Sequence, residues 1–248
     1  MGHAPTQKHK TRKLSARRTD LGETERRALD ENGYLVLEGV VDPRQVSAMR
    51  SRLEELLAVT PQDHAGTLVV GGLLEDPLFD AAWNDPRVLA AVEQVLGEKP
   101  RLMSVASRGL RPGHGQQGLH RDWGNDDTGG VWYGCHAICP LVDFTEDNGA
   151  TRVVPGSHQK PWMMKGHKDP RRPHPAERNL LGGVGTVFIL NIHCFHSAVQ
   201  NESSEPRLAL FTHFSRRDSP LLLANPVDSP SEATIARHAP AIQALLRA

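Results

Sequence analysis

After a polar start, the chain alternates apolar and polar residues first with a helical and then with a strand period. Leu21 to Asn32 reads as a helix that Gly33 ends as a left-handed C-cap. Tyr34-Leu-Val-Leu37 is then a short strand. Asp42-Pro43 opens a second helix, with aspartate as N-cap and proline at the first helical position. Its Val46, Met49, Leu53, Leu56 and Leu57 recur at helical spacing. A third helix opens the same way at Asp85-Pro86 and carries Val88, Leu89, Val92, Val95 and Leu96 before Gly97. No chemistry is evident on these helices.

From Arg101 the period shortens. Strand-like segments alternate with Gly, Pro and Asn turns, at Arg101–Ser107, Gly118–Asp122, Val131–Leu141, Thr151–Val154, Thr186–Asn191 and Arg207–Ser215. Asn148-Gly149 reads as a tight turn before Thr151. Many short strands of this kind predict a sandwich or barrel. Two connections are long: Trp123–Gly130, rich in Gly and Asp, and Gln159–Gly183, rich in Pro, Lys and Arg. A connection as long as the second is usually functional or disordered. Its basic stretch Lys160–Arg178 reads as a solvated loop or, if it closes over the barrel mouth, as a lid whose charge would favour an anionic substrate. A short helix near Thr234–Arg247 closes the chain.

Length and composition narrow the class. A chain of 248 residues predicts one domain, over about 21–248, behind a disordered basic tail at 1–20. The formal net charge is zero, so bulk electrostatics offers no case for nucleic acid or a membrane surface. No apolar run approaches the roughly 20 residues that span a bilayer, and residues 1–18 lack the apolar stretch of a secretory signal. The three cysteines, Cys135, Cys139 and Cys194, make no disulfide framework. A reducing cytoplasm is the expected setting, a small molecule the expected partner. Oligomeric state is not legible.

The chemistry starts at His120-Arg121-Asp122. On a strand, residues i and i+2 share a face, so this triplet delivers an imidazole and a carboxylate to one point. A third ligand must come from elsewhere. His196 follows the apolar run Gly185–Leu190, where a barrel strand would reach its mouth. Two histidines and a carboxylate on one face of an ion are the ligand set of non-heme Fe(II) oxygenases. Three protein ligands leave three octahedral positions, two for a chelating 2-oxo acid and one for oxygen. Zinc prefers a tetrahedral site with one open position, and the triad alone allows it. Arg207, eleven residues after His196, argues for the 2-oxo acid. A buried distal carboxylate needs a forked cationic partner.

These residues resemble the phytanoyl-CoA dioxygenase family. The run Asp143 to Thr151, continuing Arg152-Val-Val-Pro-Gly-Ser-His158, carries the likeness. So do His120-Arg-Asp122, His196-Ser-Ala-Val-Gln-Asn201 followed by Arg207, and the helix–Gly-Tyr34-Leu-Val-Leu37 opening. The resemblance spans about Leu21 to Ser215. It implies a double-stranded β-helix, or jelly roll, at about 101–216 with helices outside. It also implies Fe(II) held by His120, Asp122 and His196, with 2-oxoglutarate bound by Arg207 and contacted by Thr151 and Gln117. O2 is the oxidant, succinate and CO2 are released, and the default outcome is hydroxylation of a small molecule in secondary-metabolite biosynthesis. An acyl-CoA or carrier-bound acyl substrate, or a metal-binding module without turnover, are the alternatives. Many members have Ser two residues after the distal histidine, where this chain has Ala198. Halogenating relatives have a small residue where Asp122 stands, so halogenation is not expected.

Thirteen histidines make decoys inevitable. His193 is the rival for the distal position, and family spacing favours His196. His158 reads as a turn residue and His114 as exposed. His136 reads either as a neighbour of the iron or substrate, or as a core histidine. Cys135 and Cys139 read as packed thiols.

Overall fold

The computed structural model describes residues 20–61, 66–97, 100–123, 129–219 and 228–247. The basic tail therefore lies outside the described residues, apart from Asp20. Three helices open the fold: α1 (Glu23–Asn32), α2 (Pro43–Val59) and α3 (Pro86–Leu96). Their ends follow from local chemistry. Asp42 and Asp85 each accept a hydrogen bond from the backbone N–H two residues on, at 2.8 and 2.9 Å. Gly33 ends α1 at φ 76°, and a Cβ there would lie 2.2 Å from Cys194 Sγ, so it is needed for both its conformation and its space.

The strands are β1 (Tyr34–Leu37), β2 (Thr67–Leu68), β3 (Pro100–Ser107), β4 (Gly109–Leu110), β5 (Gly134–Pro140), β6 (Thr151–Val153), β7 (Arg178–Asn179), β8 (Val187–Asn191), β9 (His196–Ala198) and β10 (Ala209–Arg216). They form a five-stranded sheet in the order β1-β8-β5-β10-β3, a three-stranded sheet β7-β6-β9 and the small pair β2-β4. Every pairing is antiparallel. This is a jelly roll. The crossings between non-neighbouring strands explain why residues far apart in sequence meet.

Strand parity divides the large sheet into two faces. Cys135, Ala137 and Cys139, with Val187, Ile189, Leu210 and Phe214, pack outward into the larger core with Val92 and Val95 of α3. Ile138, Phe188, Leu190 and Ala209 face inward and meet Ala150, Val153 and Phe144 in a smaller core between the sheets. The inward face is therefore apolar around Phe188 but gives way, at His136 and His213, to a cavity.

Two expectations need correction. Gly118–Asp122 is not a strand; it meets β9 through one isolated bridge, His120 to His196. The closing helix is two short ones, α4 (Glu232–Ala236) and α5 (Pro240–Leu246), because Pro240 lacks the N–H a continuous helix requires. No helix among the described residues is long and apolar enough to cross a membrane.

Candidate metal and co-substrate site

One backbone pairing brings the distant ligands together. The His120 N–H donates to His196 O at 3.0 Å, and the His196 N–H donates back at 2.9 Å. The two rings stand side by side, centroids 4.7 Å apart. Asp122 is anchored by its N–H to Ile192 O at 3.2 Å. Its Oδ1 lies 3.5 Å from His120 Nε2 and its Oδ2 3.8 Å from His196 Nε2. The donor atoms of the three residues lie within 4.8 Å of one another.

The hydrogen bonds also choose the tautomer. His120 Nδ1 meets Gly118 O at 2.9 Å, and His196 Nδ1 meets Cys194 O at 2.9 Å. A carbonyl only accepts, so each Nδ1 carries the proton. Each Nε2 is thereby left facing the common point, where a metal ion would take the place of any proton it carries. His193 is disposed of by the same test. Its Nε2 already accepts the Tyr133 N–H at 3.0 Å, and its ring is packed against Trp123 and Trp132.

Electrostatics prepares the same donor set. Burial works to raise the Asp122 pKa, but the hydrogen bond from His120 and the neighbouring His136, His196 and His120 together outweigh it. The carboxyl is held well below the usual range. His120 is raised, chiefly by that hydrogen bond and against burial. His196 is lowered by burial. The carboxylate is therefore ionised, and His196 favours its neutral, ligating form. His136 is buried with Nε2 3.4 Å from Asp122 Oδ2, so it faces the second carboxylate oxygen of the triad.

These residues line one cavity of about 970 Å³, together with Arg207, Thr151 and Gln117. Arg207 is only 2% exposed, yet its Nε and Nη1 have no hydrogen-bond partner among the described residues. Its guanidinium lies 4.9 Å from the centre of the Phe144 ring, and burial lowers its pKa to about 9. A buried cation with vacant donors fits a carboxylate. The metal donor set and this arginine therefore fit a ferrous ion and 2-oxoglutarate respectively. Thr151 is buried and pairs with Ala198 in the β6–β9 register. Gln117 is partly committed, because its Oε1 accepts the Ala198 N–H at 3.1 Å. The neighbouring Ser197 does not replace the missing hydroxyl at 198. Its Oγ accepts from Arg152 Nε at 2.6 Å.

In this structure Gln159–Gly183 does not cover the cavity, since none of its residues lines it. Parity explains where it went. Thr151 and Val153 point inward and Arg152 outward, where Arg152 donates to Pro170 O, Arg171 O, Arg172 O and Glu177. Pro170 O also accepts the Leu119 N–H at 2.7 Å. The segment is strapped across the outer face of the small sheet. Sequence reading passed over Arg152, and also Arg108 and His213, which line the cavity. His213 was findable, because it shares the parity of Arg207 on the expected strand Arg207–Ser215.

Comparison with known proteins agrees with this geometry. The sequence model described as phytanoyl-CoA dioxygenase matches residues 29–209. An uncharacterized protein of Mycobacterium tuberculosis, Rv1501, is 29% identical over 206 residues, covering 76% of this chain and 73% of the relative. The dioxygenase cnsJ of Penicillium expansum is 29% identical over 127 residues, covering 48% of this chain and 37% of the relative. Among solved structures, HygX from Streptomyces hygroscopicus with nickel and 2-oxoglutarate bound has a TM-score of 0.64 at 20% identity, covering 80% of this chain and 88% of HygX.

Proposed function

The chain belongs to the phytanoyl-CoA dioxygenase family of Fe(II)- and 2-oxoglutarate-dependent oxygenases, and from that premise we propose that it hydroxylates an unactivated C–H bond of a small molecule. His120, Asp122 and His196 hold the ferrous ion. Arg207 takes the distal carboxylate of 2-oxoglutarate, with Thr151 and the free amide of Gln117 beside it. When bound, the metal and co-substrate supply oxidising power from O2 as 2-oxoglutarate goes to succinate and CO2. The side chains bind and orient rather than form covalent bonds. Nδ1 bonds to carbonyls keep both imidazoles in the ligating tautomer. His136 steadies Asp122. Arg207 places the co-substrate.

One observation carries this reading: the vacant donors of buried Arg207 share a cavity with the open Nε2 and carboxylate donors of the triad. A zinc hydrolase would have no use for the arginine. A role in biosynthetic tailoring is part of the proposal, and it accords with a neighbour of the same fold crystallised with hygromycin B. The test is to supply Fe(II), 2-oxoglutarate, O2 and candidate substrates, and to measure succinate and a product that has gained one oxygen atom. Absence of 2-oxoglutarate binding and of succinate with Fe(II) would overturn the assignment. Activity with zinc alone would point to hydrolysis.

A further inference from the structure

Beyond the metal, the cavity has a polar wall that the triad and Arg207 do not account for. The register places His213 directly between His136 on β5 and Ser104 on β3, so a polar row crosses three strands. The His136 and His213 rings lie 4.1 Å apart. His136 Nε2 is turned to Asp122, which leaves its Nδ1 buried without a partner among the described residues. His213 Nε2 is buried without one as well. Native structures rarely leave such atoms vacant unless something arrives to fill them.

Arg108 stands next to this row, between β3 and β4. Its backbone is fixed by the N–H bond to Ala209 O at 2.9 Å. Its side chain is exposed on the cavity and makes no hydrogen bond or ion pair among the described residues. Burial first, and then the positive charges around them, Arg108 included, push His136 and His213 down, His213 to about 4. Burial alone lowers Arg207. The two arginines thus serve different ends of the cavity. Asp228 also lines it, but its Oδ2 accepts the Val105 N–H at 3.1 Å on the outer edge of β3, and it does not pair with Arg108.

We propose that Arg108 and His213 form the recognition site for an oxyanion carried by the substrate, a carboxylate or a phosphate group. Arg108 neutralises the charge and His213 Nε2–H donates to one of its oxygens. The inference rests on the function proposed above and deepens it. An uncharged alkyl chain on this wall would cover the Arg108 charge without neutralising it and leave the buried His213 Nε2 without a partner, so a plain acyl chain does not suit it.

The test uses the full chain loaded with Ni(II), which is redox-inert here, and 2-oxoglutarate. Acetate, inorganic phosphate and uncharged acetamide are titrated separately, and paramagnetic broadening of each probe is read by NMR. Wild type should broaden acetate or phosphate saturably and acetamide not at all. The stronger of the two names the group. Arg108→Gln should weaken that binding about tenfold to a hundredfold, the usual range for a lost charge-assisted hydrogen bond. His213→Phe should weaken it less. The affinity for 2-oxoglutarate, titrated separately by calorimetry, should hold in Arg108→Gln. Anion binding unchanged in Arg108→Gln, or equal binding of acetamide, overturns the proposal. A parallel loss of 2-oxoglutarate affinity overturns it too, since Arg108 would then belong to the co-substrate. If wild type binds neither Ni(II) nor 2-oxoglutarate, the reading of the metal centre fails instead, so the two failures are distinguishable.

Discussion

Arg152 and Arg207 are buried to nearly the same degree, 1% and 2% exposed, on opposite sides of the small sheet. Arg152 is saturated. It donates to the Ser197 hydroxyl, the Glu177 carboxylate and the carbonyls of Gln117 and Pro170 to Arg172. Arg207 has Nε and Nη1 vacant. Burial alone therefore says little about what a charged residue does. A filled guanidinium is a strap that holds a segment down, and a vacant one is a binding site maintained at a cost in desolvation. His193 and His196 repeat the contrast three residues apart. One has its Nε2 lone pair engaged by a backbone N–H, and the other keeps it open toward Asp122.

That contrast can be broken experimentally. The largest effect should come from the histidines. His196→Ala should abolish succinate formation and metal binding, while His193→Ala keeps the metal and loses stability. Retained iron binding in His196→Ala, measured by equilibrium dialysis, would show the lone-pair argument to be wrong.

Arg207→Ala comes next. Losing a charge-assisted contact that leaves its partner's charge buried costs on the order of 2–5 kcal/mol, roughly a thirtyfold to several-thousandfold rise in KM for 2-oxoglutarate. Urea unfolding should show little loss of stability, because no native hydrogen bond from those vacant donors is removed. An unchanged KM would reopen the zinc alternative.

Arg152→Met should do the reverse. Breaking a buried ion pair on one side costs about 3–5 kcal/mol of stability, read in the same unfolding experiment. The KM for 2-oxoglutarate of the folded fraction should stay near wild type. A large KM change with stability intact would mean that the strap shapes the site more than it holds the fold.

The smallest effect is expected from trimming the exposed tip of the strapped segment around Trp162 to Lys168. Since none of it lines the cavity, succinate and oxidised product should stay coupled as in wild type. Uncoupled succinate in the trimmed variant would restore the lid that the sequence suggested.

Much of the fold was legible because its causes are local. Asp-Pro helix starts, Gly33 and the shift to short alternating runs at Arg101 act within a few residues, and the longer strands appear within about three residues of their expected ends, while the short strands β2, β4, β7 and β9 were not foreseen. The exceptions share a reason. Gly118–Asp122 has strand-like spacing but only one bridge, because a strand also requires a neighbour along its length. The segment at 159–183 is rich in proline and charge, as a mobile loop would be. Its place was decided by Arg152, whose outward direction depends on the pairing of β6 with β9.

For the site itself, the spacing of His120 and Asp122 suggested one side of an extended chain, where alternate residues share a face, and the structure brings the two together with a single bridge in place of a strand. Motif order then pointed to His196 and Arg207. Whether those groups were open to a ligand was a matter for tertiary structure alone. A lone pair or an N–H is vacant or filled according to what lies within hydrogen-bonding distance, and those neighbours come from elsewhere in the chain: Tyr133 for His193, and Gln117, Pro170 and Glu177 for Arg152. The polar row beneath Arg108 has the same origin. It exists because β10 lies between β5 and β3 and aligns His213 with His136 and Ser104, a register no local spacing encodes.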